Sequence, residues 1–440
     1  MRRGPGLIFL YVIIAAVPVA VIALTRNTYY GFMSELGRSS AVTGFMLLIM
    51  QSLLAGRFRW ITEPFGFDIV IRFHRDMALL AVLLIIAHPV LMAFGDSGFE
   101  LLTSFDLPWY ILLGKTVLVL VLVQTGISMF RLPDRLGFER WRALHDVLAP
   151  LIILAAVVHS WKSGDDLRLF WMRALWVAAA GISLLAFFHH RFVRPALLGR
   201  HPFRVTGVEE LTKGVWDVRL EPRDDRGTFE HLPGQFQFIT FHRGRGLPEE
   251  EHHWTISSGP GTSGEYVTST IKELGDFTST IGSTKPGDTA TVHAPFGRFS
   301  YLLHGDEEDL VFIAGGIGIT PLMSMIRHMR DIGSKIPVLL VYANRDEDSI
   351  TFRDELEEME RGEGPPLRIV HILSDPGGGW SGETGRLDSE KLREYCGGRF
   401  EGRGYYVCGP PGLVDSVVAA LKGFGVHDRR IHIELFAFLD

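Results

Sequence analysis

Four histidines in the first half of the chain form two pairs of equal spacing, His74 with His88 and His145 with His159. The members of each pair stand 14 residues apart (88 − 74 and 159 − 145) in otherwise apolar runs. In a helix this spacing puts the two imidazoles about 21 Å apart and within about 40° of the same face. Imidazole is a common axial ligand of haem iron. Two such helices side by side would therefore hold two six-coordinate b-type haems, one near each membrane surface.

Histidines in membrane helices also serve as helix-packing polar residues or as proton relays. Four of them at duplicate spacing favour ligands over either alternative, provided that the two helices run parallel. His74 then pairs with His145 and His88 with His159, so that the two haems are stacked across the bilayer.

Six stretches are long enough to cross a hydrocarbon core of about 30 Å as helices. Because arginine is concentrated in alternate loops, the positive-inside rule places both termini and the polar second half of the chain in the cytoplasm. The sequence predicts a multi-pass protein of the plasma or inner membrane whose third and fifth spans both run outward. The six spans cover approximately residues 7–24, 40–56, 74–95, 108–130, 144–161 and 168–188.

Two cations fall inside the predicted spans, Lys115 in the outer half of the fourth and Arg173 just inside the sixth. An intramembrane cation is a functional candidate, here as a partner of the propionates of the outer haem. The alternative is that both side chains extend to the outer headgroups.

The composition narrows the class of protein. The 440 residues are 47% hydrophobic and 21% charged, which suits a membrane domain fused to a soluble one. A net charge of −6 gives no indication of nucleic-acid binding. The two cysteines, Cys396 and Cys408, exclude a disulfide framework and a four-cysteine metal or iron–sulfur site.

Residues 201–305 consist of short alternating strands and predict a small antiparallel barrel. Within it, Trp254 and Thr255 follow one another on a strand, where the indole can cover a flavin ring and the hydroxyl can reach a ring nitrogen. About 20 residues later, Gly275 precedes a helix start with Thr278 nearby. Backbone N–H groups at such a start can hold a pyrophosphate.

Residues 306–440 alternate strand, turn and helix, which predicts a doubly wound parallel α/β sheet. An apolar strand leads into the glycine-rich segment 315–321, and glycines let the backbone approach a phosphate. Later strands lead to Arg345 and to Cys408. Because the carboxyl ends of parallel strands share one edge, the sequence predicts a dinucleotide site there. Arg345 can meet a 2′-phosphate, while Asp346 and Asp348 oppose one.

Over nearly its full length the chain resembles the ferric reductase and NADPH oxidase superfamily, as a compact bacterial-type member. The resemblance implies three domains: a six-span all-α bis-haem bundle (1–200), an FAD-binding β-barrel (201–305) and an NAD(P)H-binding α/β domain (306–440). The family's flavin motif matches His252-His253-Trp254-Thr255, and its Cys-Gly-Pro matches Cys408-Gly409-Pro410.

The resemblance also implies roles for individual residues. His252 should lie at the FAD pyrophosphate, Trp254 on the flavin ring, Thr255 at the reactive nitrogen and Cys408 beside the nicotinamide. Phe436 should shield the flavin face, with Phe438 as the alternative. The remaining implied contacts to FAD or to NAD(P)H are Lys272, Gly275, Phe277, Thr278, Gly315, Gly316, Gly318, Thr320, Pro321, Arg345, Gly409 and Pro410.

The predicted activity is electron transfer from cytosolic NADPH or NADH, through FAD and two haems, to an acceptor outside the membrane. Oxygen and chelated ferric iron are both compatible with the sequence as acceptors, and the resemblance favours NADPH. A different possibility is an electron-donor subunit that reduces a partner protein on the outer face. The three cofactor loops argue against a non-enzymatic membrane scaffold.

Overall fold

A computed structural model describes residues 4–25, 30–129, 137–224, 227–244, 246–262, 265–362 and 364–436. It divides the chain into two compact units, Met1–Arg194 and Pro195–Asp440. The first unit is helical, and the second contains two six-stranded sheets.

The first unit contains six helices long and apolar enough to cross a membrane, which confirms the predicted multi-pass bundle. Two short helices connect them, and a π-helical turn at His189–Val193 leads out of the last span into α9 (Arg194–Leu198). The helices before α9 are α1 (Gly4–Thr25), α2 (Phe32–Ala55), α3 (Arg59–Phe65), α4 (Phe67–Phe94), α5 (Glu100–Thr103), α6 (Trp109–Met129), α7 (Phe138–Ser163) and α8 (Phe170–Phe188).

Three spans begin six or more residues earlier than the sequence predicts: α2 at Phe32, α4 at Phe67 and α7 at Phe138. Polar side chains in these first turns do not break the helix, because each finds a local partner. Asp68 binds Arg72 at 2.7 Å one turn away, and Glu139 lies 3.0 Å from Arg142. The hydrophobic pattern therefore marks the membrane-buried part of each helix rather than its start.

Small residues on α2 allow α4 to approach its backbone closely. A Cβ added at Gly37 would lie 3.2 Å from the carbonyl oxygen of His88, and one added at Gly44 would lie 3.3 Å from that of Ala81. Such glycine faces are typical of membrane helices that pack backbone against backbone. This contact positions one histidine-bearing helix.

The first sheet of the second unit is antiparallel, in the order β4-β3-β6-β1-β2-β5. Its edges meet just after β4, where the N–H of Ser257 donates to the carbonyl of Thr268 at 2.9 Å, so the sheet closes into the predicted barrel. Its strands are β1 (Phe203–Thr212), β2 (Val215–Pro222), β3 (Phe236–His242), β4 (Glu251–Thr255), β5 (Val267–Lys272) and β6 (Thr289–Phe296).

The second sheet has the order β10-β9-β8-β7-β11-β12, and all its pairings are parallel. Helices connect the strands, which confirms the doubly wound α/β fold, and the loops after β7, β8 and β11 meet at one edge. The elements are β7 (Leu310–Gly315), α10 (Ile319–Asp331), β8 (Val338–Asn344), α11 (Arg353–Arg361), β9 (Leu367–Leu373), β10 (Glu383–Thr384), α12 (Ser389–Tyr395), β11 (Gly404–Cys408), α13 (Pro411–Gly423) and β12 (Ile431–Glu434).

Buried polar contacts join the barrel to α10. The guanidinium of Arg327 binds both carboxylate oxygens of Glu355, at 2.9 and 2.6 Å, and donates to the carbonyl of Ser257 at 2.7 Å. The hydroxyl of Ser324 donates to the carbonyl of Ser258 at 2.8 Å. Because Ser257 and Ser258 directly follow β4, these bonds fix the flavin-motif strand relative to the glycine-rich loop.

Candidate redox-cofactor sites

We call His88 and His159 the second pair, and the structure brings their side chains close enough for charge on one ring to act on the other. Each ring is oriented by a backbone carbonyl: Nδ1 of His88 lies 3.0 Å from the oxygen of Gly37, and Nδ1 of His159 lies 2.7 Å from that of Tyr110. Since a carbonyl only accepts, both Nδ1 atoms carry the proton. The Nε2 lone pairs are therefore available to a metal, the usual arrangement of a ligating histidine.

Gly114 on α6 makes room for one of these rings. A Cβ at this position would lie 2.4 Å from Cε1 and 2.8 Å from Nε2 of His159. No side chain larger than hydrogen fits against the imidazole in this position. Nothing in the apolar pattern of α6 singles Gly114 out, so sequence reasoning missed it.

We call His74 and His145 the first pair, and they too lie close enough for their charges to interact. Their surroundings differ from those of the second pair. Nδ1 of His74 is buried and makes no hydrogen bond within the part of the chain that the structure describes, although the ring lies beside the backbone of Gln51. The ring of His145 lies 5.7 Å from that of Trp141.

Helix register places a glutamine opposite each histidine of the first pair. Gly37 on α2 lies opposite His88 on α4. Because the two helices are antiparallel, Gln51, 14 residues after Gly37, lies opposite His74, 14 residues before His88. On α6 and α7, Tyr110 lies opposite His159 and Ser128 opposite Trp141, so Gln124 falls opposite His145. The Oε1 atom of Gln124 is buried and has no hydrogen-bond partner among the described residues. The unpartnered oxygen of Gln124 and the space that Gly114 leaves beside His159 are better explained by imidazole rings that hold a cofactor than by helix packing alone.

Aliphatic side chains separate the two levels. Val82, Val117, Val121 and Ile152 form one buried cluster, with Val82 and Ile152 about midway between the histidines of their own helices. The cluster contains side chains from both histidine-bearing helices and from α6, so one apolar layer joins α4, α6 and α7.

The intramembrane cations both bind loop carbonyls. Lys115 donates to Leu102 at 3.2 Å and to Ser104 at 2.6 Å, and Arg173 donates to Leu167 at 2.5 Å. A cation that the sequence did not single out, Arg38 on α2, lies close enough to His88 for their charges to interact. Its Nε is buried and meets no hydrogen-bond partner in the described ranges.

In the barrel, β4 carries the flavin motif with alternating sides. Thr255 and His253 point to one face, and His252 and Trp254 to the other, because successive strand residues alternate. Nε2 of His253 lies 3.1 Å from the carbonyl oxygen of Phe436, which places the C-terminal aromatic beside this strand. Neither the residue pattern nor the family resemblance assigns a role to His253. Phe438 lies outside the described residues.

The segment around Gly275 and Thr278, which was expected to hold the flavin pyrophosphate, forms a closed turn. The hydroxyl of Thr278 accepts from the N–H groups of Leu274 and Gly275, both at 2.8 Å, so this N–H of Gly275 is engaged within the protein. Phe277 is buried in the barrel core and its ring lies 4.2 Å from that of His252. Phe277 thus positions His252 by packing.

The nucleotide loop depends on glycine for close packing. A Cβ on Gly315 would lie 2.8 Å from Pro410, and one on Gly318 would lie 2.3 Å from the carbonyl of Cys408. Gly316 has φ +52°, in the region that favours glycine. The loops after β7 and β11 therefore interlock at the carboxyl edge of the sheet.

Other members of the predicted loop are internal. Thr320 and Pro321 are buried, and the Thr320 hydroxyl donates to the carbonyl of Ile317 at 3.1 Å. A Cβ added at Gly409 would lie 3.0 Å from the main-chain nitrogen of Gly315. These residues shape the loop through packing.

A cavity of about 580 Å³ opens at this edge, large enough for part of a dinucleotide. Gly315, Gly316, Pro410 and Arg345, which were expected to contact a nucleotide, line it, and so does Lys272 from the segment expected to hold the flavin pyrophosphate. Further lining residues that the sequence did not single out include Lys213, Asn344, Ser374 and Arg386.

Cys408 is fully buried at the end of β11. Burial raises the pKa of its thiol well above the usual value, so the sulfur stays protonated and is no nucleophile at neutral pH. A role beside a nicotinamide would therefore be one of shape and contact.

Two families match the chain. Residues 40–156 match the family described as "Ferric reductase like transmembrane component", and residues 312–419 match "Oxidoreductase NAD-binding domain". The first match includes all the first-pair residues and His88, but it ends before His159.

Two curated relatives are named as reductase components or subunits. The reductase component of propane 2-monooxygenase from Rhodococcus jostii is 31% identical over 264 residues, which cover 56% of this chain and 67% of the relative. The glycine betaine monooxygenase reductase subunit of Pseudomonas aeruginosa is 31% identical over 54% of this chain, but the match covers only 64% of that protein.

Among solved structures, flavohemoglobin from Malassezia yamatoensis with bound FAD and haem aligns with 96% of this chain and 98% of its own, at a TM-score of 0.51. The sequences are 16% identical, so this likeness concerns the fold alone.

Proposed function

Because the chain belongs to the ferredoxin–NADP reductase-type oxidoreductases and carries a ferric-reductase-like transmembrane component, we propose that it moves electrons from cytoplasmic NAD(P)H across the membrane to an outer acceptor. The acceptor would be oxygen, giving superoxide, or chelated ferric iron. In the orientation that the positive-inside rule predicts, the Pro195–Asp440 unit and both termini would lie in the cytoplasm.

Bound FAD and two b-type haems would supply the redox chemistry, with flavin dividing a hydride into the single electrons that haem accepts. In this chain, His74 and His145 would hold one iron, and His88 and His159 the other. Each proposed iron would then be held by two imidazoles of this chain. The carbonyls of Gly37 and Tyr110 keep Nε2 of the second pair deprotonated and correctly turned.

The side chains of the second unit would bind and orient the other groups. The glycine-rich segment 315–321 and the cavity would receive the nucleotide. The flavin would lie between β4 and Phe436. Arg327 holds β4 and α10 together, so both ligands meet a preformed surface.

The observation that supports the proposal is that His74 and His145, and likewise His88 and His159, lie close enough for their charges to interact. A visible spectrum of the purified full-length protein, before and after NADPH, tests it. We expect reduced b-type bands with a haem-to-flavin ratio of about two. A protein with flavin but without haem would contradict the proposal.

The acceptor is tested by reoxidation of the reduced protein with oxygen or with a ferric chelate. Rapid reoxidation by one of them identifies the acceptor. The relatives named as reductase components favour a second candidate function, an electron-donor subunit that reduces a partner protein on the outer face. Slow reoxidation by both small acceptors would support that second function.

The charges around the cavity favour NADPH over NADH. Lys213, Lys272, Arg345 and Arg386 line it together with a single carboxylate, Asp346, whose Oδ1 already accepts from the N–H of Ser349 at 3.0 Å. A 2′-phosphate would therefore meet mostly positive charge.

We expect Arg386→Ala to lower the NADPH-to-NADH ratio of kcat/KM about tenfold, equivalent to the loss of one charged hydrogen bond. Arg368→Ala, on an exposed site of β9 outside the cavity, is the matched control. An unchanged ratio in Arg386→Ala would exclude this side chain from 2′-phosphate recognition.

A further inference from the structure

Three potential metal ligands converge at the amino ends of the parallel strands, where β7, β11 and β12 begin. A ligand atom of His304, one of Glu307 and one of His432 all lie within 4.8 Å of one another. The nucleotide loops lie at the opposite, carboxyl ends of the same strands. This cluster is therefore separate from the cavity described above, and the proposed electron transfer does not use it.

The chain is folded to bring these groups together. The N–H of Glu307 donates to the carbonyl of His304 at 3.1 Å, which closes a tight turn immediately before β7. His432 lies on β12, opposite Tyr406 of β11, and its ring lies 3.9 Å from that of His304. A Cβ at Gly404 would lie 2.1 Å from Oε2 of Glu307, so glycine at the start of β11 leaves room for the carboxylate.

The carboxylate is oriented from its far side. The hydroxyl of Tyr406 donates to Oε2 of Glu307 at 2.7 Å, while Oε1 lies 2.8 Å from Nε2 of His432. The Glu307 side chain is 1% exposed and that of His432 is 12% exposed. A buried carboxylate held by an outer hydrogen bond, with its other oxygen turned to an imidazole, is typical of a ligand held for a metal.

Nearby cations neutralise the negative charge of Glu307 only in part. Arg430 is the nearest cation, 3.8 Å from Oε1 of Glu307, but its shorter contacts are to Asp306, at 3.0 Å to both the carboxylate and the main-chain carbonyl. The positive charge of Arg298 acts on His304 and opposes a metal. With Asp306 offsetting Arg430, Glu307 supplies the negative charge nearest the two imidazoles.

We propose that His304, Glu307 and His432 bind a divalent transition-metal ion of the zinc class. Two imidazoles and one carboxylate form a recurring zinc ligand set, with a fourth position for water. The ion would fasten the turn before β7 to β12, an edge strand paired with β11 alone. Since Phe436 follows β12 by two residues, the site would stabilise the segment that carries the candidate flavin-shielding aromatic.

The test uses full-length, haem- and FAD-loaded protein that has been treated with a chelator and desalted. Zn²⁺ is the probe, measured by calorimetric titration and by counting retained zinc. We expect one retained equivalent in the wild type and none in Glu307→Gln or in the double variant His304→Asn/His432→Asn. Tyr406→Phe, which removes only the outer hydrogen bond, should weaken Zn²⁺ binding about 10–100-fold. His201→Asn, at a histidine paired with Asp224 outside the cluster, is the matched control and should bind as the wild type does.

FAD content and the thermal unfolding midpoint show whether each variant is folded. Zinc should raise the midpoint of the wild type and leave that of Glu307→Gln unchanged. If the ligand variants fail to fold, the cobalt-substituted wild type decides, because a tetrahedral His/carboxylate site gives characteristic visible bands. A wild type that retains no zinc and shows no such bands would overturn the proposal, as would equal zinc retention in the folded double variant.

Discussion

The first and second histidine pairs have the same spacing in the sequence but different surroundings in the structure. In the second pair, each Nδ1 binds a backbone carbonyl, and Gly114 makes room for the ring of His159. In the first pair, Nδ1 of His74 makes no hydrogen bond, and glutamines lie opposite both histidines. Backbone hydrogen bonds thus orient both rings of the second pair, whereas the ring of His74 lies beside the backbone of Gln51 without such a bond among the described residues.

This difference has a physical consequence. A carbonyl in a packed helix cannot rotate, so the second pair is preorganised for a metal by the backbone itself. A glutamine side chain is mobile and can be replaced by mutation. On the proposed assignment, haem binding by the first pair is therefore tunable at Gln124, whose Oε1 is buried, while haem binding by the second pair depends on helix packing.

The largest expected effect is the loss of a ligand. His88→Leu and His159→Leu should each lower the haem-to-flavin ratio from about two to about one and block acceptor reduction, while reduction of a soluble dye at the flavin persists. His74→Leu should do the same at the first level. The pyridine haemochrome assay and the dye assay measure the two effects. His190→Leu, outside both pairs, is the control, and two haems in either second-pair variant would refute the ligand assignment.

Gly114→Ala tests the preorganisation of the second pair. The added methyl would lie 2.4 Å from Cε1 of His159, so the ring must move and haem retention at this level should fall severalfold. Gly181→Ala, at a site in α8 with no atom within 4 Å of the added Cβ, is the matched control. Haem content after detergent extraction distinguishes them. Equal retention in the two variants would show that the close contact at Gly114 is not required.

Gln124→Leu tests the side-chain environment of the first pair. Loss of its amide should weaken haem retention at that level about 10–100-fold and leave the second level intact, since outer partners of ligating histidines have effects of this size. Redox titration, which resolves the two haems, measures which one is affected. If both haems changed equally, the contrast between the pairs would lose its basis.

The smallest expected effect concerns Lys115, next to Gly114. Because its ammonium donates to the carbonyls of Leu102 and Ser104, Lys115→Met should cost about 1 kcal/mol of stability and leave both haem potentials unchanged. Thermal unfolding and redox titration measure the two quantities. A shift in the potential of one haem would instead favour the alternative, in which Lys115 meets a propionate.

The second unit shows how far local patterns reach. The strand pattern predicted the closed barrel and the parallel sheet, because period-two alternation and buried apolar runs are local properties. The order of loops at the carboxyl edge followed from the parallel topology. The pattern did not reveal that Thr320 and Pro321 are internal, or that Arg386 and Ser374 line the cavity, because those facts depend on packing between loops.

The sequence by itself determined the six spans, the 14-residue spacing of the histidines and their common helix face, since hydrophobicity and helix geometry act within one segment. Only the tertiary structure decided which groups oppose each imidazole. Gly37 lies 51 residues from His88 and Tyr110 lies 49 residues from His159, so their contacts depend on the register between helices. The convergence of His304, Glu307 and His432 has the same cause, because parallel strands far apart in sequence begin side by side.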